Sequence, residues 1–218
     1  MSDFQITDNT RVRRRPERAH YDRDLVNSII DEALVCNVAF VSDGLPRIIP
    51  TSIVRIENDI YLHGSPNNRM LTALADGVNA CISVAHIDAI VMGRSGMGCS
   101  VDYRSVVIFG NAEVVTESEH KAKVLYSVID STLPGHKVRE LKESELAATL
   151  VLKFPLKEVS AKVRDIGVKD IEADYELDAW AGVIPLKTVP GQVQDCPRIK
   201  PGIVTPAYAL NYPGPSGK

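Results

Sequence analysis

The sequence predicts a mainly β (α+β) protein: a small antiparallel barrel with a few peripheral helices. Two observations predict it. About seven Val- and Ile-rich segments follow one another with turn signals between them. Helical patterns are inserted singly instead of after every strand, which disfavours a βαβ sheet. At 218 residues the chain is long enough for one well-cored domain with appendages.

Residues 1–20 form a basic arm with Arg11, Arg13, Arg14, Arg15 and Arg18, and Pro16 breaks any helix there. Five Arg in eight positions suit a nucleic-acid arm or a phosphate contact; with acidic residues around them, a solvated lead-in strand or a dimer contact is preferred. Asp22 or Asp24 then caps a helix whose apolar positions Leu25, Ile29 and Ala33, with Val26, Ile30 and Leu34, repeat at helical spacing. Val38–Val41 leads through Ser42-Asp43-Gly44 into a strand over Arg47–Ile56. Pro50 lies in the middle of that strand and cannot donate to a ladder, so the strand is expected to open or bulge there.

After Ile60–Leu62, Ser65 is the expected N-cap of a short helix, with Pro66 at its first position and Leu71, Leu74 and Ala75 on its apolar side. A strand entering a helix start leaves amides aimed outward as a ready anion site, and Arg69 in the first turn suits a phosphate better than it suits the helix dipole. A solvated surface arginine is the plainer alternative.

Ala80–Ala85 and Ala89–Met92 read as two strands joined around His86-Ile87-Asp88. Gly93-Arg94-Ser95-Gly96-Met97-Gly98 is a flexible loop; its glycine spacing is the reverse of a dinucleotide fingerprint and no helix pattern follows. Tyr103–Val115 is a strong strand in which Gly110 permits a bend. Glu117–Ser131 is a helix with Ala122, Leu125, Tyr126 and Ile129 on one face; a shorter helix, Glu143–Thr149, and strands Leu150–Phe154 and Val159–Val163 follow. Seven of the 13 prolines lie from Pro185 onward, so residues 187–218 form an extended or disordered Pro/Gly-rich tail suited to wrapping a partner subunit. The folded domain is thus 21–186.

Composition removes several functions. The net charge of −3 argues against a nucleic-acid partner, as does the lack of aromatics among the arginines of the arm. No apolar run reaches membrane-spanning length, and the first residues lack the pattern of a signal peptide. Cys36, Cys81, Cys99 and Cys196 are scattered, which suits reduced thiols in the cytoplasm; neither they nor His20, His86, His120 and His136 have metal-ligand spacing, so no metal is expected. Cys99 has only Arg94 and Arg104 as basic neighbours and reads as inert.

Several ordered segments together resemble the FMN-binding split-barrel family related to pyridoxamine 5′-phosphate oxidase, in its flavin-nucleotide-binding branch that includes nitroimidazole-resistance proteins. They are the Arg13–Arg18 run before Tyr21-Asp22-Arg23, Asp31–Cys36, Ile49-Pro50-Thr51, Tyr61–Ser65, Tyr103–Val107 with Phe109-Gly110, Glu158–Arg164 and Trp180–Leu186. The resemblance implies a split barrel and a homodimer with FMN at the subunit interface. It implies that His63, Gly64, Ser65, Asn68, Arg69 and Met70 frame the FMN phosphate, and that Pro50, Thr51 and Ser52 lie along the flavin ring. Tyr103, Arg104, Ser105 and Val106 come from the neighbouring strand, with Trp180 near the ring. His63 bonding only to backbone, and Trp180 serving only as a core or interface anchor, stay open as alternatives. Gly98 and Cys99 stand where relatives often carry histidines, and Asp102 where Asn is usual, so a role of those histidines in substrate or haem contact is absent here. The expected function is FMN-dependent oxidation or reduction of a small molecule, with NADH or NADPH as a candidate donor; a non-catalytic flavin sensor is the alternative. No catalytic residue is assigned, since flavin reduction requires no acid–base group of the protein.

Overall fold

A computed structural model describes residues 3–214; the first two residues of the arm and the last four of the tail lie outside the described residues. Among those described, eleven strands and five α-helices follow in the order β1 (Ala19–His20), α1 (Arg23–Glu32), β2 (Val35–Ser42), β3 (Leu45–Ser52), β4 (Val54–Ile56), β5 (Asp59–Gly64), α2 (Arg69–Ala75), β6 (Ala80–Met92), β7 (Ser100–Gly110), β8 (Glu113–Val114), α3 (Ser118–Thr132), α4 (Glu143–Ala147), β9 (Leu150–Pro155), β10 (Glu158–Arg164), β11 (Gly182–Pro185) and α5 (Ala207–Leu210). They build two antiparallel sheets. The larger has the order β1-β10-β7-β6-β2-β3 with β11 also on β6; the smaller has the order β4-β5-β9-β8. The chain crosses between the sheets at Ile53, through α2 between β5 and β6, at Asn111-Ala112 and at Leu156-Lys157.

Period-two alternation explains how the small sheet is covered on both sides. Ile60, Leu62, Leu152 and Phe154 point into a core shared with Val38, Phe40, Ile82 and Ile108 of the large sheet. Tyr61 and Val151 point the other way, onto Val124 of α3. The buried side of α3 is therefore Val124, with Val128 packed one turn on, and not the Leu125–Ile129 stripe that spacing suggested. Helix α1 follows expectation: the Asp22 carboxylate accepts from the Leu25 amide, and Val26, Ile29 and Ile30 are buried.

Several boundaries differ from those read in the sequence. Pro50 causes no bulge: it pairs in register with Asn37 in the unbroken ladder of β3 on β2. Because β3 is the edge strand, a proline whose nitrogen faces away from β2 removes no ladder hydrogen bond. The break falls instead at Ile53, where the chain changes sheets. His86-Ile87-Asp88 does not separate two strands; β6 runs through, absorbing the irregularity as a register shift against β7 between Ile87 and Ala89. The strand expected over Tyr103–Val115 ends at Gly110 and resumes as β8 in the other sheet.

The arm is anchored at two points while Arg11, Arg13, Arg14 and Arg15 stand exposed to solvent. Phe4 and Thr10 are buried, the Tyr21 hydroxyl donates to the Thr10 carbonyl, and Arg23 lies 4.1 Å above the Phe4 ring. The described part of the tail is extended apart from α5 and folds back on its own chain. The Tyr212 hydroxyl donates to the Thr132 carbonyl, and the Tyr208 hydroxyl lies 2.9 Å from His136 Nδ1.

Candidate functional site

Strand β6 is shared along one side by two partners that do not meet. β2 pairs with it as far as Ser83, and β11 takes over from Ala89. Among the described residues no strand pairs with Val84–Asp88 on that side. The fork opens a cleft of about 600 Å³ lined by Glu32–Val35 from the end of α1 and the start of β2, Ala85–Asp88, and Leu186–Thr188. That volume lies in the range of small-molecule sites.

Register places many of the sequence-predicted residues around this cleft. On one side Val35, a lining residue, pairs with Ser52, and Cys36 beside it pairs with Thr51. On the other, Ile87, His86 and Ala85 pair with Tyr103, Arg104 and Ser105. Only Ile53 separates Ser52, the last residue of β3, from Val54, which pairs with Tyr61, so the end of β3 comes against β5 near His63. From His63 the chain passes through Gly64 to the Ser65–Arg69 turn. A surface therefore runs from Arg69 past His63 and Ser52 to the cleft.

The phosphate-type end is built differently from the expected cap. Ser65 is not the N-cap; its carbonyl accepts from the Asn68 amide in a turn, and Asn68 caps α2, its Oδ1 accepting from the amides of Met70 at 2.9 Å and Leu71 at 3.3 Å. Asn68 thus has only its NH₂ to offer a ligand, and Met70, fully buried, has its amide engaged. Arg69 is the first helical residue, exposed, and makes no hydrogen bond or ion pair among the described residues. At Gly64 a Cβ would stand 3.0 Å from Leu71 Cδ1, so the turn packs closely on α2. Burial lowers the pKa of His63 from its ordinary value, so the ring is neutral at neutral pH, and it too lacks a partner among the described residues.

Arg104 is the opposite of Arg69. Its Nε and Nη2 donate to Asp88 at 3.0 and 2.7 Å, and its Nη1 donates to Glu32 at 2.6 Å. The Asp88 hydrogen bonds, then the Glu32 one, raise its pKa, so it is locked as a cation. It supports the cleft from β7 and has little to offer a ligand directly. His86, also in the lining, has Nε2 3.0 Å from the Ile29 carbonyl oxygen. Val106 is fully buried between Val84 and Ala161 in an interior strand paired on both sides, so neither its side chain nor its backbone is open to a ligand.

Trp180 does not line the cleft. It precedes β11 at the end away from the cleft, its indole against Gly182 and its surface 69% exposed. Pro50 is exposed on β3. Asp102, noted as a departure, is buried in an ion pair with Arg164. The cysteines are free: Cys36 is buried, which pushes its thiol up to about 12, and Cys99 and Cys196 are exposed. Among the described residues no cluster of three or more His, Cys, Asp or Glu is placed to hold a metal, and no helix is long and apolar enough to cross a membrane. Glu32, Asp88 and the segment 186–188 were not singled out as site residues. The approach of β11 to β6 that creates the fork joins residues about ninety positions apart and has no local sequence signal.

A family profile described as pyridoxamine 5′-phosphate oxidase matches residues 22–163. Among solved structures, the chain is similar to a flavocytochrome from Azotobacter vinelandii, with 32% identity over 94% of this chain and 96% of that one, and a TM-score of 0.87. It is similar to an FAD and haem binding protein from Mycobacterium smegmatis, with 31% identity over 90% and 98% of the two chains, and a TM-score of 0.86. A Bacteroides thetaiotaomicron protein assigned to 5-nitroimidazole antibiotic resistance has 21% identity over 66% and 86%, with a TM-score of 0.58, which speaks for the fold alone. No curated protein sequence matches the chain.

Proposed function

The chain belongs to the pyridoxamine 5′-phosphate oxidase family, and from that premise we propose that it is a flavoprotein, an FMN-dependent oxidoreductase acting on a small molecule. The observation that carries the reading is the surface from the free Arg69 past His63 and Ser52 to the 600 Å³ cleft. Arg69 would pair with the flavin phosphate through two parallel hydrogen bonds, an exposed cation with no competing carboxylate among the described residues. Thr51 and Ser52 would lie along the ring, and neutral His63 would donate or accept one hydrogen bond there without adding charge. Arg104, held between Asp88 and Glu32, keeps the cleft floor fixed. When bound, flavin supplies hydride or electron transfer, so the protein has only to orient the ring and control access.

A second copy of the chain would complete the site. Val41, Leu45 and Ile48 stand exposed on β2 and β3, Ile48 at 68%, and Ile87, Ile90, Val183 and Ile184 are exposed on β6 and β11. Apolar surface on this scale suits a two-fold interface. Sedimentation at low micromolar concentration should give a dimer; a monomer that retains flavin would overturn that part.

FAD in place of FMN is the second reading, favoured by the printed name of the M. smegmatis relative. That name also includes haem. Of the five histidines, His86, His120 and His136 are engaged with a carbonyl or a tyrosine hydroxyl and His20 lies on β1, at the edge of the large sheet away from the cleft, so His63 is the one imidazole of the site region without a partner among the described residues. One such ring is a meagre donor set for a haem iron, and haem is left out of the reading. The test is the absorption spectrum of the purified protein, chromatography of the flavin released on denaturation, and turnover of NADH or NADPH with an acceptor. A colourless protein that cannot be reconstituted with FMN or FAD would overturn the proposal, and bound flavin without turnover would favour the sensor.

A further inference from the structure

The glycine-rich loop after β6 holds a carboxylate from far along the chain. Asp170, its side chain fully buried, accepts from the Arg94 amide at 3.2 and 3.1 Å through its two oxygens, and from Arg94 Nη1 at 3.2 Å. Gly93 and Gly98 face the same oxygen: a Cβ on Gly93 would come within 2.6 Å of Asp170 Oδ1, and one on Gly98 closer still. Gly98 is therefore required by the approach of the carboxylate, and Gly93 both by the carboxylate and by the backbone of Gly98, 2.5 Å from where its Cβ would stand. Arg94 Nε is buried without a partner, and the guanidinium is covered by the Tyr175 ring at 4.9 Å. Two glycines, an amide and a guanidinium converge on one anion.

Asp170 belongs to the segment 165–188, which leaves β10, forms β11 on the end of β6 and finishes in the cleft wall. Apolar burial does little to hold this strap, since Ile171 is 68% exposed and Ile166, Leu177 and Trp180 are exposed as well. Its other ties are the Arg164-to-Gly167 carbonyl bond, the four-residue ladder of β11, and the Leu186 amide donating to the Asp88 carbonyl. We propose that residues 93–98 are a carboxylate receptor, with Asp170 as its occupant, and that this contact fastens the strap and so sets access to the cleft. The consequence for the cleft rests on the flavin reading; the receptor and the strap do not.

The experiment measures hydrogen exchange of peptides from 165–188 and the fluorescence anisotropy of Trp180, the single tryptophan of the sequence. In the purified full-length protein, Asp170→Ala should raise exchange across the strap by roughly tenfold or more and lower the anisotropy, with β7 and β9 unchanged. Sodium formate, a free carboxylate, should enter the emptied receptor, returning the 93–98 loop to wild-type exchange in Asp170→Ala but leaving the strap loose. Gly98→Ala keeps Asp170 but obstructs its seat, and should loosen the strap in the same way without formate having any effect on the loop. An unchanged strap in either variant would overturn the proposal. So would exchange rising equally in β7 and β9, or a loop that ignores formate in Asp170→Ala. If flavin is bound, its dissociation should quicken in both variants; a strap that loosens in a protein without flavin would sustain the latch while removing the flavin reading.

Discussion

Arg69 and Arg104 both lie along the proposed flavin site, yet they stand in opposite electrostatic settings. Arg104 is a half-buried fork closed by Asp88 on one side and Glu32 on the other. Arg69 projects from the first turn of α2 with no carboxylate on it among the described residues. A cation already neutralised by two acids holds structure together, and a ligand would have to displace them to use it. A cation left open in a turn where the helix does not favour it is available for an incoming anion. The two ends of the site therefore divide the work, one fixing the cleft and one offering charge.

The largest effect should come from Arg104→Ala, which leaves two carboxylates facing each other without their cation. Breaking a fully buried pair costs about 3–5 kcal/mol, and the part-exposure of these side chains reduces that to about 2–3 kcal/mol. Urea unfolding should show the drop as a lower midpoint at constant slope. A loss under about 0.5 kcal/mol, the range of ordinary surface substitutions, would erase the contrast with Arg69.

Arg69→Ala should do the reverse. Its unfolding midpoint should stay within about 0.5 kcal/mol of wild type, while FMN binding weakens by about 10- to 100-fold through loss of a charge-assisted hydrogen bond. Riboflavin, which lacks the phosphate, should bind as before, and Arg69→Lys should recover only part of the loss. Equal losses for both flavins would move the phosphate elsewhere.

A smaller effect separates Asn68 from Ser65. Asn68→Ala removes a cap that accepts from two amides and should lower stability by about 1 kcal/mol. Ser65→Ala should change stability by less than about 0.5 kcal/mol. Reversal of that order would return the helix start to Ser65.

The smallest concerns His63. Burial puts its folded-state pKa below the ordinary 6.5, so between those two values the unfolded chain binds more protons. Its contribution is fully present above 6.5 and is lost as pH falls through that window toward the folded value. Melting of the flavin-free protein over about pH 5 to 7.5 should fall on the acid side, and His63→Gln should flatten that fall. An unaltered profile in the variant would place the titration on another group.

Much of the fold was legible because period and capping are local. Alternation in β5 and β9, the helical spacing of α1 and its Asp22 cap all rest on neighbours within a few residues. Ser65 was misread as the cap because Ser65-Pro66-Asn67-Asn68 holds three side chains able to cap and the proline favoured the first; the structure puts the cap at Asn68, whose Oδ1 two amides reach. Pro50 was misread because whether a strand lies at an edge is a property of the whole sheet. Arg69 could be picked out from its place in a helical turn, but the commitment of Arg104 depends on Glu32, 72 residues away. Likewise the glycines at 93 and 98 show their purpose only beside Asp170, which no spacing within the loop announces.

The unbroken edge strand has one more consequence. Since Pro46 and Pro50 pair within the ladder without donating to β2, alternation turns the even-numbered positions of β3 toward the free side. A foreign strand arriving there would look for amides at 46, 48, 50 and 52 and find two, at Ile48 and at Ser52 where the strand ends. The protein can thus display Val41, Leu45 and Ile48 to a matching surface while remaining a poor template for runaway strand addition, the hazard of an exposed apolar edge. A proline first noticed as an obstacle to a strand is, at this edge, a guard against aggregation.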